Sequence, residues 1–300
     1  MAAIAQPTPV PKTDEEHLAA REHFKRHGFV YLKDFFTPEE AEGVRSWVDT
    51  LGEKSRAVLK ESLASGVSIE KMIEMDEAVP VVVPERVRKD QVCRIEDYVT
   101  PALSGPFMQY PDKVRDFMSR MFGEDYLLFK EKINFKWPGG GAFPHHQDYP
   151  AYDFLAPRTH ATAMLTIDAA STENGCLQVA YDWTQSVSDL AEIDQEALKE
   201  GMAVLPYYQG GENNGTIKTE YVDKFNWFEV HSKPTELLIF SSFVPHFSLV
   251  NESNKSRRAM FLTHNRAAEG TQRKNYYDAK RSDPKNPMFH VATPTYHNAM

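Results

Sequence analysis

Two histidines and an aspartate crowd into the stretch GGGAFPHHQDYP, residues 139–150. His146 and Asp148 are spaced i, i+2, so on an extended strand they share a face while Gln147 turns away. An imidazole and a carboxylate aimed into one cavity are two members of a familiar donor set. Iron(II) in oxygenases is held by two histidines and one carboxylate on one face of an octahedron, and the other face stays open. The third ligand has to come from a distant segment. His246 ends the apolar run LLIFSSFVP, so a core strand would deliver it to the mouth of the fold. Eleven residues further on, Arg257 opens another apolar run, where a buried guanidinium would grip a carboxylate through a bidentate fork. Each signal has a bland counterpart: an HxD triplet is usually a solvated loop, and a strand-end histidine or arginine usually faces water. Their order and their predicted elements make the combination far more specific. His145 stands one residue off the shared face and reads equally as a group beside the site or as a structural residue. His17, His23 and His27 fall in an N-terminal helical region, and His290 and His297 in the polar tail.

Helices come first. Thr13 followed by Glu16 is a capping box for TDEEHLAAREHFKRH, and Gly28 suits the position after its last turn. FVYLKDFF (29–36) reads as a strand. Thr37 and Pro38 then open a second helix that should run to about residue 51. VPVVVPERV is apolar but broken by prolines, as an edge segment or loop would be. Residues 111–125 place Val114, Phe117, Met118 and Met121 at helical spacing. The pattern then changes to strands. LLFKEKINFKW (127–137) alternates, with Leu127, Phe129, Glu131, Ile133 and Phe135 on one face and Leu128, Lys130, Lys132, Asn134 and Lys136 on the other. Strands are expected at 161–170, 175–181, 235–246 and 257–265, with an acidic helical excursion at 189–202. Residues 1–12 read as a disordered tail. Leading helices and following strands predict an α+β fold with a β-sandwich or barrel core.

The bulk numbers narrow the class. A chain of 300 residues suits one large domain, here 13–300, and needs no disulfide staples. The net charge of -9 argues against a general nucleic-acid binder. Cys93 and Cys176 lack CxxC partners, which removes zinc-finger and redox readings and favours reduced thiols. The N-terminus lacks a signal-peptide pattern, and no apolar run is long enough for a membrane span, so a cytoplasmic enzyme with a small-molecule substrate is the expectation. Monomer and homodimer both remain open.

At this point the chain resembles a known family, the phytanoyl-CoA dioxygenase-like branch of the iron(II)/2-oxoglutarate-dependent oxygenases. The likeness runs from about residue 15 to 282. It rests on HFKRHGFVYLKDFFTPEEAEGVR, on HHQD, on ENGCLQV (173–179) and on VPHFSLVNESNKSRRA (244–259). The resemblance implies a double-stranded β-helix, or jelly-roll, core at about 127–265. It implies iron on His146, Asp148 and His246, and 2-oxoglutarate held by Arg257 and Ser248. Lys132 and Asn134 would be further cosubstrate contacts, and Lys130 a weaker one. By strand alternation Arg258 points away from Arg257, although a bulge would exchange them. The family often has PGSH soon after NGCL, and a glycine after the distal histidine. Here Ala180–Trp183 and Phe247 stand instead, which bears on substrate rather than metal. Phe247, Tyr149, Tyr152 and Trp183 are the residues expected to narrow the pocket.

WPGGGAFPHHQD and residues 257–281 look closest to the 2-aminoethylphosphonate dioxygenase subgroup. A small polar or zwitterionic substrate follows, such as an aminophosphonate or an amino-acid-like metabolite. With dioxygen it would be hydroxylated at a C–H bond, releasing succinate and carbon dioxide. Desaturation and oxidative cyclisation share the same cofactors, and a cupin-type metal enzyme without 2-oxoglutarate or a silent binding protein are the competing classes. Asp148 fills the position that halogenases of this type leave open.

Overall fold

A computed structural model describes residues 3–4, 6–76, 78–155 and 157–283. The leading strands are β1 (Ala3–Ile4) and β2 (Thr8–Pro9), followed by α1 (Asp14–His27), β3 (Phe29–Lys33), α2 (Pro38–Ser65) and α3 (Ile69–Met75). β4 (Val81–Pro84), β5 (Val92–Glu96), α4 (Pro101–Ser104) and α5 (Gln109–Phe122) lead into β6 (Tyr126–Lys136) and β7 (Phe143–His146). β8 (Ala161–Thr166), β9 (Leu177–Tyr181), α6 (Trp183–Ser186), α7 (Gln195–Lys199) and α8 (Thr219–Val222) come next. The chain closes with β10 (Asn226–Glu229), β11 (Leu237–Ser241), β12 (His246–Ser248), β13 (Arg257–Arg266) and α9 (Arg273–Ser282).

Among the described residues two sheets face each other. The larger runs β2-β3-β11-β8-β13-β6-β5-β4, and the smaller runs β1-β10-β9-β12-β7. This is the α+β double-stranded β-helix. Its outer layer follows from strand alternation. Met260 and Leu262 of β13, Ile239 of β11 and Leu165 of β8 pack outward against Trp47, Val48 and Leu51 of α2 and Met118 and Met121 of α5. The intervening residues, Ala259, Phe261, Leu238 and Met164, point inward and meet Leu177 and Val179 of the smaller sheet. Burying a large apolar side chain is worth roughly 1.5–3 kcal/mol, so this two-faced packing holds the register of β13.

The predicted capping box of Thr13 with Glu16 is present, and the expected N-cap Thr37 forms a second box with Glu40. Four expectations change. α2 continues past residue 51 to Ser65, because Ser55 and Leu59 stay buried. The acidic excursion is helical only over Gln195–Lys199. Thr8–Pro9, expected in a disordered tail, pairs parallel with β3, and Ala3–Ile4 pairs with β10. β6 does not alternate strictly. Lys130 faces Thr263 and Leu128 faces His264, which leaves Phe129 as an unpaired bulge residue. Leu128 therefore joins the outer cluster, while Phe129 packs with Tyr152, Tyr276 and Tyr277. VVVP is the edge strand β4, as its prolines suggest. His290, His297 and the prolines beyond residue 283 lie outside the described residues. Among the described residues no helix is long and apolar enough to cross a membrane.

Candidate metal centre

The smaller sheet brings the distant histidines together. β12 pairs antiparallel with β7 so that His246 is the partner of His146, and their rings lie 4.1 Å apart. Asp148 arrives differently from the strand-face expectation. β7 ends at His146, and Asp148 adopts a helical conformation at the start of a 3-10 turn over Tyr149–Ala151. Gln147 makes that turn. Its amide nitrogen donates to the carbonyls of Ala203 and Phe243, at 3.0 and 2.6 Å, and its oxygen accepts from the Leu205 N–H at 2.8 Å. Turned away and anchored, Gln147 lets its neighbours converge. One ligand atom each from His146, Asp148 and His246 lies within 4.8 Å of the others, and all three residues are buried.

The tautomers are set by the backbone. Nδ1 of His146 meets the Pro144 carbonyl at 2.7 Å, and Nδ1 of His246 meets the Val244 carbonyl at 2.9 Å. A carbonyl only accepts, so each Nδ1 carries the proton and each Nε2 is a free donor for a metal. Burial, reinforced by the neighbouring His246, pushes His146 well below the usual imidazole range, and burial likewise lowers His246. Burial alone would raise Asp148, but Lys132, His246 and Lys130 together hold its carboxyl far below the usual range. Two neutral imidazoles and an ionised carboxylate are the donor set iron(II) takes.

The glycine stretch before this motif is no flexible hinge. Gly139 N–H donates to the Asn251 carbonyl at 2.8 Å, and Asn251 N–H donates to the Gly140 carbonyl at 3.1 Å. The loop that follows β12 is thus sewn to the loop that precedes β7. Gly175 serves the same packing with φ at +70°, and a Cβ there would sit 2.3 Å from the Leu249 carbonyl oxygen.

β13 separates the two arginines. Arg257 shares the inward face with Ala259 and Phe261. It is 7% exposed and its Nε has no hydrogen-bond partner. Burial brings its pKa down to about 10, so it remains a cation at neutral pH. Arg258 points outward to Asp168, with its Nε at 2.7 Å, and to Asp49. Beside Arg257, Lys136 donates to Ser248 Oγ at 2.8 Å and to the Leu249 carbonyl. Asn134 follows on the same face with a buried amide oxygen lacking a partner. Lys132 then stands over the Phe261 ring at 5.2 Å, close enough to lower Asp148. Lys130 lies farthest along the strand, over Tyr152 at 4.4 Å and Tyr276 at 5.4 Å. Burial, then the charge of Lys132, lowers it to about 7.

A cavity of about 40 Å³ opens beside the ligands, with Lys130, Lys132, His146 and Asp148 in its wall. Its remaining wall was not foreseen from the residues alone. Glu96 meets Arg94 at 3.1 Å and Lys280 at 2.5 Å, while Glu131 is held by Arg273 of α9. Of the residues expected to narrow the pocket, Tyr152 stands behind the wall, packed with Phe129 and under Lys130. Phe247 faces the other side of the smaller sheet, where its ring packs at a tilt against His145 with centroids 4.0 Å apart. Tyr149 and Trp183 belong to the inner apolar cluster. His145 therefore turns away from the metal ligands. Lys136 was visible on the lysine face of β6 but carried no motif to single it out.

Comparisons with known proteins agree with this arrangement. The family model "Phytanoyl-CoA dioxygenase (PhyH)" matches residues 24–259. A 2-aminoethylphosphonate dioxygenase from Uncultured bacterium HF130_AEPn_1 is 31% identical over 86% of this chain and 85% of its own length. A methylphosphonate hydroxylase from Gimesia maris is 32% identical over 87% of this chain and 85% of its own length. EctD from S. alaskensis, solved with 2-oxoglutarate and 5-hydroxyectoine, superposes with a TM-score of 0.60 at 14% identity. That match covers 89% of this chain and 80% of the EctD chain, and shows the shared fold.

Proposed function

The chain belongs to the phytanoyl-CoA dioxygenase family of oxygenases that use iron(II), 2-oxoglutarate and dioxygen, and on that premise we propose that it hydroxylates a C–H bond of a small polar substrate of the phosphonate or amino-acid-like class. The observation that carries the reading is the pairing of two sites. A buried His146–Asp148–His246 cluster with free Nε2 atoms faces the same interior as a buried Arg257 whose Nε has no partner.

When bound, the metal and 2-oxoglutarate supply the oxidant: dioxygen places one oxygen atom on the substrate carbon and one in succinate, with loss of carbon dioxide. The protein's own part is placement and exclusion of water. His146, Asp148 and His246 hold the metal. Arg257 receives the far carboxylate of 2-oxoglutarate as a charge-assisted pair, with Ser248 beside it. Lys136 holds the Ser248 hydroxyl in place at 2.8 Å, so that oxygen is already oriented before the cosubstrate arrives. Asn134, with its unpartnered buried amide, and Lys132 flank the path between Arg257 and the metal ligands. Tyr152 stays protonated because burial and the Asp148 charge raise its phenol well above the usual range.

The test is an anaerobic titration. Iron(II) followed by 2-oxoglutarate should raise the weak visible charge-transfer band of the chelate in the wild type and not in Asp148→Ala. Iron binding without a band would remove the cosubstrate from the reading. Turnover that proceeds without 2-oxoglutarate would point to a cupin-type enzyme.

A further inference from the structure

The cavity beside the metal ligands has an unbalanced set of charges. Each carboxylate in its wall is committed. Glu96 is shared between Arg94 and Lys280, Glu131 is gripped by Arg273 and by the Val99 N–H at 2.7 Å, and Asp148 belongs to the metal cluster. Lys132 lies against Asp148 and Phe261. Lys130 is the more deeply buried of the two lysines. It is 9% exposed and carries no hydrogen bond or ion pair among the described residues. Its ammonium lies over the faces of Tyr152 and Tyr276, near enough to Asp148 to lower that carboxyl but without a hydrogen bond to it. A buried ammonium with three unused donors is costly unless something arrives to accept them. Aromatic faces offset only part of that cost, on the order of 0.5–2 kcal/mol.

Its position says which ligand can reach it. Arg257 is the cross-strand partner of Lys136, and Thr263 is the partner of Lys130. Six residues of extended strand separate the two positions on β6, roughly 20 Å of backbone. That is far longer than a five-carbon diacid. A cosubstrate seated on Arg257 and the metal cannot extend to Lys130.

We infer that Lys130 is a specificity-determining residue that receives the oxyanion end of the substrate, on the far side of the metal from the 2-oxoglutarate clamp. The ligand class is a small phosphonate or carboxylate anion. The cavity of about 40 Å³ has room on the order of three water molecules, which the oxygens of such a head group would replace. This inference rests on the iron and 2-oxoglutarate reading above, and it moves Lys130 from the cosubstrate to the substrate.

The test separates the two. Wild type, Lys130→Met and Lys130→Arg are loaded anaerobically with iron(II) and 2-oxoglutarate. Methionine keeps an apolar stem on the tyrosine rings. Methylphosphonate, 2-aminoethylphosphonate and alanine are then titrated against the visible band, and whichever shifts it identifies the head group. In Lys130→Met that probe should bind about 10–100-fold more weakly, with the 2-oxoglutarate Kd within about threefold of wild type. Lys130→Arg should recover most of the loss. A raised 2-oxoglutarate Kd with unchanged probe binding would overturn the inference and return Lys130 to the cosubstrate. A wild-type band that none of the probes moves would also overturn it. No band in the wild type would refute the underlying reading itself.

Discussion

Arg257→Ala is the most informative single change. The guanidinium is 7% exposed, lies on the inward face of β13, and has no carboxylate partner among the described residues. Hydrogen bonds to charged groups contribute about 1.5–3 kcal/mol, and a bidentate fork sits at the upper end of that range. At 1.36 kcal/mol per tenfold, the 2-oxoglutarate Kd should rise about 10–160-fold. The assay is the anaerobic band titration, with cosubstrate varied at saturating iron. Iron affinity, read from the same protein without cosubstrate, should hold, because Arg257 touches none of the three ligands. Arg258→Ala is the matched control. Its partners Asp168 and Asp49 lie on the outer face, so its loss should cost stability and leave 2-oxoglutarate affinity within about threefold. A cosubstrate Kd indifferent to Arg257 but sensitive to Arg258 would refute the face assignment of β13 and everything built on it.

Other outcomes follow from the same geometry. Iron(II) should raise the melting temperature of the wild type in a concentration-dependent way, and Asp148→Ala or His246→Ala should abolish that rise. Gln147→Ala removes three hydrogen bonds that anchor the turn. It should cost about 1–3 kcal/mol in urea unfolding and weaken iron binding as well, whereas a purely local effect would leave iron affinity unmoved. Gly175→Ala forces a side chain at φ +70° against the Leu249 carbonyl, and a loss below about 1 kcal/mol would contradict the close approach. Glu96 is held down to about 2, since Lys280 and Arg94 outweigh the raising effect of burial. A carboxyl lowered in the folded state stabilises above its unfolded value and loses that contribution as pH falls towards 2. Glu96→Gln should therefore flatten the loss of stability between about pH 4.5 and pH 2, measured by denaturant midpoints.

Much of this site was legible because its signals are local. A capping box, a proline at a helix start and an apolar run ending in His246 each declare themselves within a few residues. The inward position of Arg257 was readable from alternation, since ten residues of β13 keep a two-residue period against two packed faces. What failed was long-range. The bulge at Phe129 is set by the partner strand, so residues 127–137 alone look regular. Asp148 shares a cavity with His146 through a turn that Gln147 anchors to residues 203, 205 and 243, none of them near in sequence. The committed state of Glu96 and Glu131 depends on α9, nearly two hundred residues away from the former. A lysine row also cannot rank its own members. Only the ring faces under Lys130 and the hydroxyl beside Lys136 tell them apart.

The order of the chain has a consequence for how the oxidising centre is sealed. His146, Asp148, His246 and Arg257 have all been synthesised before α9 begins at Arg273. The barrel can thus be complete, with every ligand in place, while one wall of the chamber is still missing. That wall is then fastened by Arg273 to Asp97 and Glu131, by Lys280 to Glu96 and by Arg281 to Asp97. A molecule nicked between Arg266 and Arg273 would be a leaky version of the same catalyst, open to bulk solvent beside the metal. Its signature would be 2-oxoglutarate consumed with no substrate present.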